Sequence, residues 1–200
     1  EKAIAEKTLE VWVQLGTLEQ GGGGAISLQS LDGGAFDSIV FAEREPKRWM
    51  AGSNGFVRTA PFQGTDETEA TERFVHFAIV YSADGTIRGY RDGKAYGAPY
   101  RPGDLQKYEA GKAQILFGLR HAPPGGNRFL NAKIERACLY DRALTADEVA
   151  ASAFAAGSLS VPESLLVDSA TPEQKTHLEH LSVEIEACRT DINAIQASRN

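Results

Sequence analysis

The chain has 200 residues, with 21 basic and 27 acidic side chains and a net charge of −6. This balance argues against an extended nucleic-acid surface, because phosphate binding depends on basic patches. A chain of this length buries a real core without metals or disulfides, and no apolar run approaches the ~18 residues of a membrane helix. We therefore expect one globular domain or one domain with an appendage, with no nucleic-acid partner and no membrane span.

The first element is a strand over residues 7–15 (KTLEVWVQL), in which aliphatic residues alternate with polar ones. This period of two predicts one buried face. Trp12 lies on the face opposite Leu9 and Leu15, where it would cover a second apolar layer or lie exposed. The glycine run 21–24 predicts a flexible hairpin loop, because glycine maximises backbone freedom.

A meander of short strands follows. Residues 25–31 and 36–41 predict two strands around the turn Asp32-Gly33-Gly34. Residues 48–52 and 56–58 predict two more.

Residues 59–72 (TAPFQGTDETEATE) predict a long polar loop with a dense acidic run. A glycosidase needs two carboxylates that face each other across a groove. The run has no apolar alternation, so we expect a solvated surface and no enzyme activity. The four acids are Asp66, Glu67, Glu69 and Glu72.

Residues 73–82 (RFVHFAIVYS) are nearly continuously apolar, which predicts a strand covered on both faces and therefore two packed sheets. His76 in this strand is expected to be a hydrogen-bonded core or edge residue. Two Asp-Gly turns then predict strands at 86–91 and 94–98.

Two more strands are predicted at 113–119 and 129–144, joined by the Pro/Gly-rich loop 121–127. We expect them to be antiparallel neighbours. Thr145 and Glu148 have the spacing of a capping box, which predicts a short helix after the last strand.

The C-terminal part differs in character. Residues 1–157 are the predicted β-sandwich domain, 158–170 a linker and 171–199 a helix that starts at Thr171-Pro172. A narrow apolar seam repeats along that helix at spacings of three and four. It needs a partner, which could be the sheet domain, a second copy or a continuation of the chain. The seam consists of Leu178, Leu181, Ile185, Cys188, Ile192 and Ile195.

Two loops carry candidate ligand-binding residues. Trp49 is either an aromatic platform for a sugar or peptide or a packing residue, and both interpretations stay open. The predicted set is Arg48, Trp49 and Asn54 in one group and Arg120, His121 and Asn127 in the other.

We predict no cofactor. Asp32 and Asp37 could offer oxygens to calcium, but two aspartates fall far short of the 6 to 8 ligands that it takes. Cys138 and Cys188 are expected to be free thiols, and a bridge between them stays open.

Three stretches, at 8–13 (TLEVWV), 84–94 (DGTIRGYRDGK) and 132–149 (AKIERACLYDRALTADEV), carry a family resemblance. Over residues 7–156 the chain resembles the LamG-like jellyroll group of concanavalin A-like β-sandwiches. The fold is therefore expected to be all-β, a two-sheet antiparallel jellyroll with a short helix after the last strand and a C-terminal amphipathic helix.

The resemblance implies a non-catalytic carbohydrate-binding or adhesion module of a larger secreted or periplasmic bacterial protein, with a carbohydrate or protein ligand. Some such proteins carry a cytochrome c-like domain, but no Cys-x-x-Cys-His occurs here. The group often has Asp-Glu where this chain has Glu135-Arg136, and the arginine weakens an implied calcium site. The alternative is a structural spacer without a small ligand, whose helix docks on neighbouring domains or self-associates.

Overall fold

The computed structural model describes residues 2–124 and 129–155 and, beyond them, only Thr171, Thr176 and His180. The chain divides into two compact units, residues 1–157 and 158–200, and each is described by itself. Thr176 and His180 are helical. The apolar seam of the predicted helix lies outside the described residues, so that helix and its partner stay predictions.

Two antiparallel sheets form the body of the first unit, as predicted. One has the strand order β7-β6-β5-β1-β9 and the other β4-β3-β2-β8. The strands in the described part of the chain are β1 (Lys7–Leu15), β2 (Gly23–Ser30), β3 (Phe36–Phe41), β4 (Trp49–Ser53), β5 (Val75–Tyr81), β6 (Ile87–Arg91), β7 (Lys94–Ala95), β8 (Ala113–Phe117) and β9 (Ala132–Tyr140). One helix, α1 (Ala146–Ala155), follows the last strand.

The sheets pack face to face because alternate residues of their strands are apolar. Leu9 and Val11 of β1 share one buried cluster with Ile39 and Phe41 of β3. All seven residues of β5 are buried, which confirms that both of its faces are covered. A second cluster lies on the outer face of the five-stranded sheet, where Val149 of α1 packs with residues of β5 and β6.

The predicted pairing of the last two strands is wrong. β8 pairs with β2, and β9 pairs with β1 in the other sheet. Both strands are edge strands, and the loop between them carries the chain from one sheet to the other. Alternation identified each strand correctly but does not specify its partner.

Two local predictions are also wrong. Residues 56–58 do not form a strand, because a single 3₁₀ turn covers Asn54–Phe56 and Phe56 has a left-handed φ of 59°. Gly23 and Gly24 belong to β2 and not to a loop, since they pair with Phe41 and Val40 of β3.

Helix α1 is fixed to the five-stranded sheet at its start and along its length. The capping box is confirmed, because the Thr145 amide donates to Glu148 Oε2 at 2.8 Å and the Glu148 amide donates to Thr145 Oγ1 at 3.2 Å. Gly93, at a φ of 73°, lies so close that a Cβ there would be 2.8 Å from the Ala150 Cα. Among the described residues, no helix is long and apolar enough to cross a bilayer.

Replacing Thr145 with alanine is expected to cost about 1 kcal/mol of unfolding free energy, because the Glu148 amide loses its acceptor. Urea unfolding followed by circular dichroism measures the change. Thr145→Ser keeps the hydroxyl and should stay close to the parent protein. Equal losses in both variants would show that the hydroxyl does not stabilise the helix start.

Candidate functional site

Three side chains from neighbouring strands lie side by side on the outer face of the five-stranded sheet. Trp12 of β1 is opposite His76 of β5 and Arg136 of β9. The Trp12 and His76 ring centroids are 4.7 Å apart, and the Arg136 guanidinium carbon lies 4.7 Å from the Trp12 ring centroid. Opposite positions on paired strands place side chains in direct contact, so the sheet register fixes this row.

A pocket of about 290 Å³ opens beside this row, at the end of α1. We call it the Trp12 pocket. Phe154 in the last turn of α1 is 54% exposed and contributes an accessible aromatic ring. Apolar and aromatic walls with a few polar groups are typical of small-molecule sites. The lining residues are Trp12, Arg73, Phe74, His76, Asp92, Glu135, Ala153 and Phe154.

Two polar atoms of residues that line the Trp12 pocket are unpaired. Trp12 Nε1 and His76 Nδ1 have no hydrogen-bond partner within the described part of the chain. The two residues are only 4% and 2% exposed. An unsatisfied buried polar group costs about 1–3 kcal/mol, so a ligand that pairs with these atoms would gain affinity.

The second imidazole nitrogen of His76 contacts a buried carboxylate. His76 Nε2 lies 3.3 Å from Oε1 of Glu10, which is fully buried. The Ser152 hydroxyl of α1 donates to Glu10 Oε2 at 2.8 Å. In the neutral imidazole, an Nε2–H that donates to Glu10 leaves Nδ1 as an acceptor.

The rim of the pocket carries an ion-pair network. Arg73 Nη2 lies 2.5 Å from Oε2 of Glu69 and 2.5 Å from Oδ2 of Asp92. Asp92 also pairs with Arg91 and accepts the His76 amide at 3.0 Å. Burial raises the pKa of Asp92, but the hydrogen bonds from Arg73 and the His76 amide outweigh it and lower the pKa overall. The charges of Arg73 and Asp92 are therefore already compensated by ion pairs within the protein.

The structure does not place Trp49 where it could stack on a ligand. Trp49 is 1% exposed in the core, with its ring stacked on Phe77 at 5.1 Å. Its Nε1 donates to Glu67 Oε2 at 2.9 Å. Of the two interpretations left open for Trp49, the structure agrees with the packing residue, because β4 turns its side chain between the sheets.

The other two residues of that predicted group make local contacts. Arg48 pairs with Asp66 at 2.8 Å and with Glu45 at 3.2 Å. Asn54 Oδ1 accepts from Arg58 Nη2 at 2.9 Å. With Trp49 buried, Arg48 and Asn54 do not flank an exposed tryptophan, and a ligand-binding role for these two residues stays a prediction.

The second predicted group lies on the loop after β8. Arg120 forms an ion pair with Glu43, and the two side chains are 18% and 6% exposed. The His121 ring lies 5.2 Å from the Phe36 ring, and burial followed by the nearby Arg120 charge lowers the pKa of His121. Asn127 lies outside the described residues, so a role for this loop stays a prediction.

The acidic run is not solvated throughout. Asp66, Glu69 and Glu72 are exposed, but Glu67 is only 4% exposed. Burial alone would raise the pKa of Glu67, yet hydrogen bonds from Arg91 and Trp49 lower it to about 2. The prediction of a surface residue is wrong for Glu67.

Neither aspartate considered for calcium is free. Asp32 Oδ1 accepts from Ser30 and from the Gly34 amide, and Asp37 is buried between Lys7 and Arg58. No group of three or more His, Cys, Asp or Glu side chains that could hold a metal occurs in the described ranges. Cys138 is a free thiol, and Cys188 lies outside those ranges.

The Trp12 pocket was missed by the analysis of the sequence. Its members come from β1, the start of β5, the β6–β7 turn, β9 and α1, which no local motif connects. One signal was present: Trp12 is a large polar-tipped ring at a position that the alternation assigns to the face opposite Leu9 and Leu15. That face is the one on which a helix after the last strand can pack.

A family profile described as the concanavalin A-like lectin/glucanases superfamily matches residues 3–150. The chain belongs to this superfamily. The jellyroll expected from the resemblance is therefore confirmed as the fold of this lectin/glucanase-type domain. No curated protein matches the chain in sequence.

Solved structures with the same fold include both enzymes and binding proteins. A Trypanosoma rangeli sialidase in complex with 2,3-difluorosialic acid has 14% identity and a TM-score of 0.54, over 78% of this chain and 24% of the sialidase. A heptameric SAP-like pentraxin from Limulus polyphemus has 15% identity and a TM-score of 0.52, over 76% and 71% of the two chains.

A third similar structure is the CBM40 of a Ruminococcus gnavus IT-sialidase bound to α2,3-sialyllactose. It has 11% identity and a TM-score of 0.51, over 75% of this chain and 83% of that chain. At these identities the likeness establishes the fold alone. The domain spans about a quarter of the sialidase chain, so the activity of the sialidase is not transferred to it.

Proposed function

We propose that this chain is a non-catalytic carbohydrate-binding module and that the Trp12 pocket holds the sugar. One observation carries the proposal: accessible aromatic surface from Phe154 adjoins two unpaired polar atoms, Trp12 Nε1 and His76 Nδ1. Membership in a lectin-type superfamily and the glycan-bound CBM40 with the same fold support it.

A sugar hydroxyl has the chemistry that these two atoms require. It can accept the Trp12 Nε1–H and donate to the His76 Nδ1 acceptor, because a hydroxyl has one hydrogen and two lone pairs. Both nitrogens are buried, so a neighbouring side chain must move before a sugar can reach them. Arg136, which is exposed and lies near the Trp12 ring, is the side chain we expect to change rotamer.

Four acids, at the acidic run and at the pocket, favour binding over hydrolysis. A general acid needs a pKa near the working pH, whereas the pKa of Glu67 is about 2. Asp66 and Glu69 are paired with arginines, and Asp92 at the pocket is shared by Arg73 and Arg91. We therefore propose a module that recognises glycans without cleaving them. Release of reducing sugar from a bound glycan would contradict this.

We further propose an extracytoplasmic location, as the module of a larger protein, from the family resemblance. The rival function, a spacer that docks through the predicted helix, stays a prediction, because the apolar seam of that helix lies outside the described residues. Absence of any glycan signal together with self-association that is lost in Leu181→Asp would favour the spacer.

Three exposed phenylalanines allow the candidate surfaces to be compared by the same substitution. Phe154→Ala removes the accessible ring of the Trp12 pocket. Phe56→Ala changes the surface beside Asn54, and Phe129→Ala changes a residue two positions after the loop 121–127. Their exposed fractions are 54%, 45% and 68%, so none of the three substitutions should unfold the chain.

We expect Phe154→Ala alone to weaken glycan binding, by about tenfold, which corresponds to ~1.4 kcal/mol. A glycan array identifies a binding sugar, and isothermal titration with that sugar measures the dissociation constants. Loss of binding in Phe56→Ala or Phe129→Ala instead would place the sugar at one of the loops predicted from the sequence.

A further inference from the structure

Of the charged side chains that line the Trp12 pocket, some are already held in ion pairs and one is free to interact with a ligand. Arg73 is its only cationic lining residue, and Arg73 is engaged by Glu69 and Asp92. Asp92 is likewise engaged by Arg73 and Arg91. Glu135 is exposed and makes no ion pair among the described residues. The free charge of the lining is therefore one carboxylate.

The pocket also offers a ligand more hydrogen-bond acceptors than donors. Glu135 offers acceptors only, and in the neutral tautomer whose Nε2–H donates to Glu10, His76 Nδ1 is also an acceptor. Trp12 Nε1 is the one unpaired donor among the buried atoms of the lining residues. A ligand that satisfies this set must bring hydrogen-bond donors as well as an acceptor to the pocket. Hydroxyl groups supply both, whereas a carboxylate supplies acceptors only.

We infer that the Trp12 pocket takes an uncharged, hydroxyl-bearing sugar and discriminates against carboxylated sugars such as sialic acid. This inference rests on the proposed function. A ligand carboxylate would lie near Glu135 and repel it. To bind that carboxylate through a bidentate contact, Arg73 would have to leave both of its present partners.

Arg136 is the side chain that could oppose this selectivity. It is exposed, but its guanidinium lies near the Trp12 ring at 4.7 Å, in a cation–π position. If Arg136 instead bound a ligand carboxylate, acidic sugars would be preferred and Arg136→Gln would abolish that preference. The two possibilities predict opposite orders of affinity.

The test compares matched pairs of glycans on the whole chain by isothermal titration. Each pair is a neutral oligosaccharide and the same oligosaccharide with a sialic or uronic acid, lactose and α2,3-sialyllactose among them. We expect the neutral member to bind at least about tenfold more tightly. The preference should shrink as ionic strength rises, because salt screens exposed charges.

Glu135→Gln keeps the size of the side chain and removes its charge, so it should bring the two affinities to within about threefold of each other. Glu135→Lys should reverse their order. Tighter binding of the acidic member to the parent chain, or an unchanged ratio in Glu135→Gln, would overturn the inference and leave the carbohydrate site standing. Failure of every sugar to bind would overturn the proposed function, and this inference with it.

Discussion

Replacing Asp37 with asparagine is expected to lower the free energy of unfolding by roughly 3–5 kcal/mol. Asp37 is fully buried between Lys7 Nζ at 2.9 Å and Arg58 Nε at 2.8 Å, and it accepts the Tyr108 hydroxyl at 3.0 Å. Asparagine keeps the shape but removes the only carboxylate in this network. Two buried cations would then face each other without a counter-charge.

The network has consequences for the whole sandwich, because its members come from both sheets. Lys7 is in β1 of the five-stranded sheet and Asp37 is in β3 of the four-stranded sheet. Burial, more than any neighbouring charge, lowers the pKa of Lys7. The Asp37 carboxylate therefore offsets a desolvation cost that Lys7 and Arg58 already bear.

A double-mutant cycle in urea separates this effect from a loss of packing. Lys7→Met removes one buried cation and leaves Asp37 paired with Arg58, so it should cost less than Asp37→Asn. Adding Lys7→Met to Asp37→Asn should recover part of the stability. Additive losses in the double variant would show that the two charges do not depend on each other.

This network separates what the sequence predicts, which is the position of a residue within its strand, from what it does not predict, which is the contact that the residue makes across the sandwich. Alternation placed Lys7 on the same face of β1 as Leu9, and Asp37 on the same face of β3 as Ile39. Neither residue was predicted to point inward, and nothing local indicated that they face each other. Strand identity follows from the period of two, whereas contact across the sandwich depends on which strands pair.

The same distinction explains the errors in the candidate sites. The burial of Glu67 could not be predicted from the acidic loop, because its neighbours in sequence are polar. Its neighbours in space are Trp49 and Arg91. The capping box at Thr145 was predictable because its two hydrogen bonds join residues three apart. The Trp12 pocket was not predictable in this way, because its wall combines residues of strands that are more than sixty residues apart in sequence.

Glu67 is held by more hydrogen bonds than an ordinary surface carboxylate. Its Oε1 accepts the amides of Thr68, Glu69 and Ala70 at 3.0, 2.9 and 3.1 Å. Arg91 donates to both carboxylate oxygens at 2.8 and 3.0 Å. All these donors favour the charged form, so the carboxylate fixes the loop before β5 onto the core.

Acid is therefore expected to destabilise the fold through this group. The pKa of Glu67 is about 2 in the folded chain against an ordinary value of 4.5. The unfolded chain binds the proton first, so the stabilisation is complete above about pH 5 and is lost as the pH falls towards 2. A pKa difference of this size corresponds to roughly 3 kcal/mol of unfolding free energy. Solvent screens the interactions of the carboxylate little, because the Glu67 side chain is only 2% exposed.

Urea unfolding of the parent chain and of Glu67→Gln at pH 7, 5, 4 and 3 tests this expectation. The variant should be less stable than the parent by roughly 2–3 kcal/mol at pH 7, and the gap should narrow as the pH falls, because protonation removes the same charge from the parent. Glu72→Gln, an exposed neighbour in the same loop, should match the parent throughout. A constant gap between Glu67→Gln and the parent from pH 7 to pH 3 would show that the carboxylate stabilises the loop by its shape and not by its charge.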